Sequence, residues 1–216
     1  MPYRAVIFDL DGTLLDTLED LADSMNAVLE QQEYPIHPSS AYRYFVGDGV
    51  DMLVRRCLPE GEWDDDQISR YVDAMEEEYS RRWDAKTRPY PGIPELLDNL
   101  EKRDFPKAIF SNKPDGFTQL TVKKLLDAWN FHPVRGALPD VPRKPDPAGA
   151  LAVAAQLGVD PADCLYLGDT NTDMKTALAA GMHPLGATWG FRPAAELQAS
   201  GARRLLHHPT ELLDLL

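Results

Sequence analysis

Residues 4–17 read RAVIFDLDGTLLDT, an apolar run that ends in two aspartates and a glycine. The run RAVIF has the length and composition of a buried strand. Ligands of parallel α/β sheets bind outside the carboxyl ends of the strands, so Asp9 and Asp11 are expected in that crevice. Gly12 gives the chain freedom to turn there and lets backbone N–H groups approach an anion. Taken alone, these residues are equally compatible with an acidic turn that caps a helix.

Further apolar runs alternate with helical patterns along the chain. The strand-like runs are KAIFS, CLYLG and PLGAT. Between them, Asp146 and Pro147 predict one helix start and Gly158 its end, and Thr172 is the expected N-cap of another helix. Such alternation is typical of a doubly wound, Rossmann-like parallel sheet with helices on both faces. The predicted fold class is therefore α/β.

A stretch of about 65 residues after the first strand shows helical periods only. Its apolar positions form three stripes, which are Leu18, Leu21, Met25, Val28 and Leu29; Val50, Leu53, Val54, Cys57 and Leu58; and Ile68, Tyr71, Val72, Met75 and Tyr79. Each stripe needs a partner, so three or four short helices are expected to pack as a small inserted bundle. The sequence thus predicts an α/β core domain of residues 1–16 and 84–216 and an all-helical cap domain of residues 17–83.

The composition of the chain limits the kinds of molecule that it is expected to bind. The chain has 216 residues and a net charge of -13, which argues against nucleic acid or a membrane surface as a partner, since both require clustered Lys and Arg. Without a signal peptide or an apolar run of roughly 20 residues, a cytoplasmic protein is expected. Whether it is a monomer or a homodimer stays open, because the apolar stripes could pack internally or against a second copy.

A second acidic motif, GDTNTD, occupies residues 168–173 after the run CLYLG. Asp169 is expected at the strand end and Asp173 in the first helical turn, where helix capping alone would also account for both. If these acids converge with Asp9, two carboxylates about 4 Å apart repel by roughly 4 kcal/mol at an effective dielectric of about 20. A cation relieves that repulsion, and oxygen ligands without Cys or His favour Mg²⁺, which also takes a phosphate oxygen.

Two other segments supply groups that bind phosphate. Ser111 ends the run KAIFS and, with Asn112, offers a hydroxyl and a backbone N–H at the same sheet edge. Lys144, in RKPDP, precedes a predicted helix start and offers an ammonium group. A local cation of this kind is what an anionic substrate would need on an acidic protein.

Taken in order, these segments resemble the four motifs of the haloacid dehalogenase superfamily. The matching stretches are DLDGT at residues 9–13, FSN around Ser111, the Lys144 of RKPDP, and GDTNTD at residues 168–173. The resemblance covers nearly the whole chain. It implies a magnesium-dependent phosphoric monoester hydrolase that acts on a small phosphorylated metabolite.

The resemblance also implies roles for the acids. Asp9 would be the nucleophile that forms an aspartyl-phosphate, and Asp11 the acid that protonates the leaving alcohol and later the base that activates water. Asp9 and Asp169 would bind Mg²⁺ through carboxylates, and Asp11 through its backbone carbonyl. Asp173 would orient Lys144. The residues implied for binding phosphate and substrate are Gly12, Thr13, Ser111, Asn112, Lys113 and Lys144.

Within the superfamily, the inserted helices resemble the cap of the branch that contains the phosphoglycolate phosphatases. The likeness rests on DLDGTLLDT, VGDGV, SNKP and TWGFRP. Such a cap closes over the core site and selects the substrate. On this likeness, Lys113 and Arg56 are candidate contacts for a substrate carboxylate, although Arg56 is also compatible with a solvated helix position.

Three alternatives remain open at this point. A signalling receiver module also gathers acids, a hydroxyl and a lysine on a doubly wound sheet, but the helical insertion and Asp11 speak against it. A dehalogenase would need neither a metal nor Asp11. A phosphosugar mutase keeps both acids and would yield an isomer rather than free phosphate.

Overall fold

The computed structural model describes residues 3–61 and 63–216; residues 1 and 2 of the predicted core and residue 62 of the predicted cap lie outside the described residues. The strands and helices are, in chain order, β1 (Ala5–Phe8), β2 (Leu15–Asp16), α1 (Leu18–Gln31), α2 (Ser39–Phe45), α3 (Val50–Cys57), α4 (Asp65–Arg82), β3 (Arg88–Pro89), α5 (Ile93–Lys102), β4 (Lys107–Pro114), α6 (Asp115–Leu125), β5 (Val134–Ala137), α7 (Ala148–Leu157), β6 (Cys164–Gly168), α8 (Asn171–Ala179), β7 (His183–Ala187), α9 (Ala194–Ala199) and β8 (Arg204–Leu206). Within these ranges, no helix combines the length and the apolar character that crossing a membrane requires.

Six parallel strands form the central sheet in the order β5-β4-β1-β6-β7-β8. The order runs outward in both directions from β1 and β6, which makes that pair the switch point of a doubly wound sheet. The predicted α/β fold is confirmed, and the four predicted runs are β1, β4, β6 and β7. The edge strands β5 and β8 were not predicted.

Alternation along β1 explains why helices cover both faces of the sheet. Val6 and Phe8 point into an apolar cluster with the leucines of α5, whereas Ala5 and Ile7 point into a second cluster with α7 and α8. All four side chains are fully buried. A strand that is buried on both faces reads as a continuous apolar run, which is the pattern of RAVIF.

Helices α1 to α4 form a separate bundle with its own apolar cluster. α1 and α4 pack side by side, and α3 packs against α4. The three predicted stripes meet in this cluster, where Met25, Val54 and Met75 are fully or almost fully buried. These helices, called the helical unit below, lie between residues 18 and 82, and the assignment of residues 17–83 to a separate domain stays a prediction.

A short antiparallel ribbon of β2 and β3 joins the helical unit to the core. At its base, the buried carboxylate of Asp20 accepts hydrogen bonds from the backbone N–H and the hydroxyl of Thr87, at 2.8 and 2.7 Å, and from the N–H of Lys86. The ribbon continues directly from the acidic loop, because the N–H of Gly12 donates to the carbonyl of Leu15 at 2.8 Å. The helical unit is thus tethered beside the predicted site.

The observed helix ends confirm one prediction from the sequence and contradict another. Gly158 ends α7 in the left-handed conformation, with φ of 66°, as predicted. The predicted N-cap Thr172 is wrong, because Thr170 caps α8 and forms a capping box with Asp173. Thr172 lies two residues further along, within the first turn of α8, and its hydroxyl donates to Asp48 in the loop before α3.

Candidate active site

The loop after β1 brings its first aspartate to the switch point of the sheet. Asp9 continues the strand, since its N–H donates to the carbonyl of Leu167 in β6 at 2.9 Å. Its side chain turns back to accept from the N–H of Leu10 at 2.7 Å. Gly12 then adopts φ of 83°, a conformation that favours glycine. The chain therefore reverses within three residues and leaves the carboxylate at the crevice.

Asp169 follows β6 and lies directly against this loop. The hydroxyl of Thr13 and the N–H of Phe191 donate to its two carboxylate oxygens at 2.9 and 2.8 Å. A Cβ on Gly12 would lie only 2.3 Å from one of those oxygens, and Gly190 approaches the same side chain as closely. Glycine at both positions is therefore a requirement of close approach. Thr13 thus holds a carboxylate in this structure, although it was predicted to bind phosphate.

Lys144 links the two acidic motifs. Its ammonium lies 2.9 Å from Asp9 and 2.7 Å from Asp173, and the side chain is buried. The other oxygen of Asp173 accepts from the N–H and the hydroxyl of Thr170, so the capping box also fixes the partner of the lysine. Burial lowers the pKa of Lys144, but the charges of Asp173 and Asp9 outweigh burial and raise it well above its usual range. The two acids therefore favour the charged form of the ammonium.

Three buried carboxylates converge beside this ammonium. Oxygens of Asp9, Asp169 and Asp173 all lie within 4.8 Å of one another. Burial, together with the charge of Asp173, raises the pKa of Asp9 from 3.8 to about 7 despite Lys144. Burial and the charges of Asp173 and Asp9 raise the pKa of Asp169 well above 3.8. One ammonium therefore does not neutralise the cluster.

The donor set fits a hard divalent cation. The three clustered side chains are all carboxylates, which is the ligand type that Mg²⁺ takes. Asp173 is already paired with the ammonium of Lys144, whereas Asp169 accepts hydrogen bonds from the neutral groups of Thr13 and Phe191. Asp9 accepts through one oxygen only among the described residues, so Asp9 and Asp169 are the favoured ligands. A cation between these two would also relieve the repulsion that raises their pKa values.

The second half of β4 contributes two further predicted residues. Ser111 was expected to end the strand, but β4 continues for three more residues to Pro114. Ser111 is buried and lines the cavity next to Asp9. The side chain of Asn112 has a structural task, because its amide exchanges two hydrogen bonds with the backbone of Lys144, at 2.9 and 3.1 Å, and donates to the carbonyl of Gly47. The predicted role of Asn112 in binding phosphate is therefore left to its backbone.

Lys113 lies between the second acid and the helical unit. Its ammonium donates to both carboxylate oxygens of Asp11 at 3.1 and 3.2 Å and to the hydroxyl of Tyr79 at 2.7 Å. Burial lowers the pKa of Lys113, but the charge of Asp11 and the bond to Tyr79 outweigh burial and raise it. In the sequence, Tyr79 is only one position of an apolar stripe. Helical spacing predicts that such a residue is buried, but it does not predict what its hydroxyl binds.

Arg56 does not line the cavity. Its guanidinium forms an ion pair with Asp48 and donates to the carbonyl of Phe45 at 3.0 Å. These partners hold the side chain on the outer side of the loop that precedes α3. The structure therefore does not bring Arg56 to the site, in contrast to its suggested contact with a substrate carboxylate.

A cavity that opens to solvent separates the sheet edge from the helical unit; its empty space, with the open solvent at the mouth included, is about 620 Å³. The core lines it with Asp9, Asp11, Ser111 and Lys113. The side chains that the helical unit contributes are mostly apolar: Leu21, Val46, Val50, Leu53, Met75, Glu76 and Tyr79. A polar, charged end thus faces an apolar chamber, which is the composition of a small-molecule site.

Hydrogen bonds connect the loop before α3 directly to the core. Thr172 donates to Asp48 at 2.6 Å, and Arg192 donates to the carbonyl of Val46 at 2.9 Å. Arg43 of the helical unit donates in the other direction, to the carbonyl of Gly190 at 2.9 Å. Apart from Arg43, these residues belong to VGDGV, GDTNTD and TWGFRP, three motifs whose sequences gave no sign that they are in contact.

Comparison with known proteins agrees with this geometry. A family model described as haloacid dehalogenase-like hydrolase matches residues 6–187. The phosphoglycolate phosphatase of Nitrosospira multiformis is 34% identical over 222 residues, which cover 99% of this chain and 97% of that protein. The enzyme of the same name from Psychrobacter arcticus is 33% identical and covers 99% and 93%.

Solved structures show the same fold over nearly the whole chain. A haloacid dehalogenase-like family hydrolase from Streptococcus pneumoniae superimposes with a TM-score of 0.87 at 26% identity and covers 98% of this chain and 97% of that chain. A predicted phosphoglycolate phosphatase from Haemophilus somnus gives a TM-score of 0.88 at 26% identity, with the same coverage. The similarity therefore includes the helical unit as well as the sheet.

Proposed function

Because the chain belongs to the haloacid dehalogenase-like hydrolase family, we propose that it is a magnesium-dependent phosphatase that hydrolyses a small phosphate monoester through an aspartyl-phosphate on Asp9. The proposed substrate is 2-phosphoglycolate. The observation that carries the proposal is the group of charged residues around Asp9. Asp9 lines the cavity together with Ser111, the buried ammonium of Lys144 lies 2.9 Å from its carboxylate, and a carboxylate oxygen of the buried Asp169 lies within 4.8 Å of it.

Asp9 and Asp169 would hold Mg²⁺ through their carboxylates, with the backbone carbonyl of Asp11 as a third ligand. When bound, the ion would keep both acids ionised and withdraw charge from the phosphoryl oxygens. Charge stabilisation of this kind has to dominate, because acid–base catalysis contributes only about 10² to 10⁴ to a reaction whose acceleration reaches about 10²¹.

The side chains of the chain account for both chemical steps. Lys144 and Ser111 would hold the phosphoryl oxygens while a carboxylate oxygen of Asp9 attacks phosphorus and the ester oxygen leaves with a proton from Asp11. In the second step Asp11 takes a proton from water, the water oxygen attacks the same phosphorus, and the Asp9 carboxylate is released together with phosphate. The two hydrogen-bonded carboxylates beside Lys144 support a fixed position for its ammonium throughout.

Lys113 supports a leaving group that carries a negative charge. Its ammonium lies on the cavity side of Asp11, which is where the alcohol part of the ester would sit. In 2-phosphoglycolate the carboxylate is one carbon from the ester oxygen, so Lys113 and Asp11 could serve the two ends of the same small alcohol. The relatives that are named phosphoglycolate phosphatases support this choice.

The alternatives predict other products. The match to a hydrolase family over residues 6–187 argues against a receiver module. A dehalogenase would leave Asp11 and the metal site without a task. A phosphosugar mutase would use the same two acids and return an isomer.

The test is steady-state release of phosphate from a panel of 2-phosphoglycolate, sugar phosphates and nucleotides with Mg²⁺, combined with product analysis. We expect the highest kcat/KM for 2-phosphoglycolate, and no turnover by Asp9→Asn. Asp127→Asn is the matched control, because Asp127 is exposed and remote from the sheet edge, and it should behave as the wild type. A single stoichiometric burst, or an isomerised sugar phosphate without free phosphate, would refute the proposal.

A further inference from the structure

Tyr79, which takes no part in the proposed chemical steps, connects the helical unit to the core. Tyr79 lies in α4, is buried, and lines the cavity opposite Asp11. Its hydroxyl accepts a hydrogen bond from the ammonium of Lys113 at 2.7 Å. The same ammonium donates to both oxygens of Asp11. Tyr79 is therefore two hydrogen bonds away from the proposed acid.

The ring of Tyr79 is held independently of its hydroxyl. It packs edge-on against Phe117, with centroids 5.1 Å apart, and the ammonium of Lys113 lies 4.5 Å from the ring centroid. A phenylalanine would keep the ring contacts and lose only the acceptor for Lys113. The task of the hydroxyl is therefore separable from the packing of the helical unit.

A lysine needs such a partner if its charge is to have a defined position. The ammonium is a point charge on a flexible four-carbon stem, with three donors that turn towards any acceptor within reach. With Asp11 alone, those donors would converge on one carboxylate. The hydroxyl of Tyr79 supplies an acceptor on the side of the helical unit and draws the charge towards the cavity.

We propose that Tyr79 is a positioning residue that sets the substrate specificity of the enzyme by holding the ammonium of Lys113 between Asp11 and the leaving group. The proposal rests on the phosphatase function proposed above. An ester whose leaving group carries a carboxylate meets a fixed cation, whereas an uncharged leaving group gains nothing from it. The preference for an anionic alcohol thus depends on a residue of the helical unit.

The experiment compares Tyr79→Phe with Tyr71→Phe on two substrates, 2-phosphoglycolate and 4-nitrophenyl phosphate. Tyr71→Phe is the matched control, because Tyr71 lies on the same helix and bonds only to Tyr34 among the hydrogen bonds of the described side chains. For Tyr79→Phe we expect kcat/KM on 2-phosphoglycolate to fall about tenfold, mainly through KM, which corresponds to about 1.4 kcal/mol. The aryl ester, whose leaving group has no carboxylate and needs no proton, should change less than about twofold.

A double-mutant cycle with Lys113→Met tests whether Tyr79 acts through the lysine. In the Lys113→Met background, Tyr79→Phe should have no further effect on 2-phosphoglycolate. The same loss in both backgrounds, an equal loss on both substrates, or wild-type kcat/KM in Tyr79→Phe would each overturn the proposal. Thermal unfolding of each variant shows whether a loss reflects the fold.

The wild-type protein separates this proposal from the phosphatase function. If it releases phosphate from neither ester and from no sugar phosphate or nucleotide of the panel, the phosphatase function itself is refuted. Turnover of the aryl ester without turnover of 2-phosphoglycolate overturns the specificity proposal and leaves the phosphatase function standing.

Discussion

Alanine at position 12 is expected to disable the site by adding one methyl group. Gly12 has φ of 83°, and its hydrogen atom faces the side chain of Asp169. An added Cβ would lie 2.3 Å from one carboxylate oxygen and 2.7 Å from the carboxyl carbon. Asp169 is fully buried and held through both oxygens, by Thr13 and by Phe191, so it moves only by breaking one of these bonds.

The magnitude follows from two separate effects. The left-handed backbone destabilises an alanine by about 1–2 kcal/mol relative to glycine. Relief of the contact requires Asp169 to move by about 1 Å, and loss of one hydrogen bond to its charged carboxylate adds about 1.5–3 kcal/mol. The free energy of unfolding should therefore fall by about 2.5–5 kcal/mol. A misplacement of about 1 Å in a catalytic group lowers the rate about 10²-fold.

Gly158→Ala is the matched control for the backbone effect. Gly158 also has positive φ, 66°, but no described atom outside its own neighbours lies within 4 Å of the Cβ that alanine would add. This variant should lose about 1–2 kcal/mol and keep its activity. Thermal unfolding, kcat/KM and the Mg²⁺ concentration for half-maximal activity are measured for both variants.

For Gly12→Ala, but not for Gly158→Ala, we expect kcat/KM to fall about 10²-fold and the Mg²⁺ concentration for half-maximal activity to rise. If Gly12→Ala and Gly158→Ala lose the same stability and both keep wild-type kinetics, the close approach of Gly12 to Asp169 has no functional weight. That result would refute the conclusion that the close contact between Gly12 and Asp169 fixes the geometry of the site.

Other changes at the site have equally definite outcomes. Asp9→Asn should lower phosphate release by at least about 10³-fold with unchanged circular dichroism, and activity near that of the wild type would remove Asp9 from the mechanism. Asp11→Asn should slow turnover about 10²- to 10⁴-fold while Mg²⁺ still stabilises the protein in thermal unfolding, and unchanged pre-steady-state rates would exclude its acid–base role. Excess chelator should abolish turnover and Mg²⁺ restore it; full activity in chelator would contradict the metal site. In the metal-free protein, burial raises the pKa of Asp9 from 3.8 to about 7. Between these two values the folded state keeps a proton that the unfolded state releases. The contribution of Asp9 to stability should therefore be lost as the pH rises from about 4 to about 7. Comparison with Asp9→Asn isolates this slope, and identical pH dependence of the two melting temperatures would contradict it.

The central strands could be predicted because one pattern, a buried apolar run, recurs along the chain. Strands β1, β4, β6 and β7 are buried runs. Asp9 and Asp169 follow directly after β1 and β6, and Ser111 lies in the second half of β4. The edge strands gave no such signal, since β8 has three residues and β5 is only partly buried. Short edge strands need little hydrophobicity, because one side of them remains in solvent.

Contacts between distant segments could not be predicted from spacing. Thr170 and Thr172 are both plausible N-caps in GDTNTD, and only the position of the helical unit explains why Thr172 is directed to Asp48 instead. Tyr79 fits its apolar stripe equally well with or without a polar partner. Arg56 illustrates the reverse case, because a cation on a cap helix is a reasonable anchor for an anion until Asp48 is found beside it.

The tether of the helical unit has a mechanical consequence. The ribbon of β2 and β3 joins the loop that carries Asp11, and the carboxylate of Asp20 clamps its base to Thr87. For any rotation about this ribbon, the tethered end is the fulcrum and the far ends of α3 and α4 are the long arm. Such a rotation would displace the acids at the fulcrum very little, but it would break the hydrogen bonds that Thr172 and Arg192 donate to the loop before α3. Opening the mouth of the cavity therefore costs contacts at the loop and leaves the acids aligned.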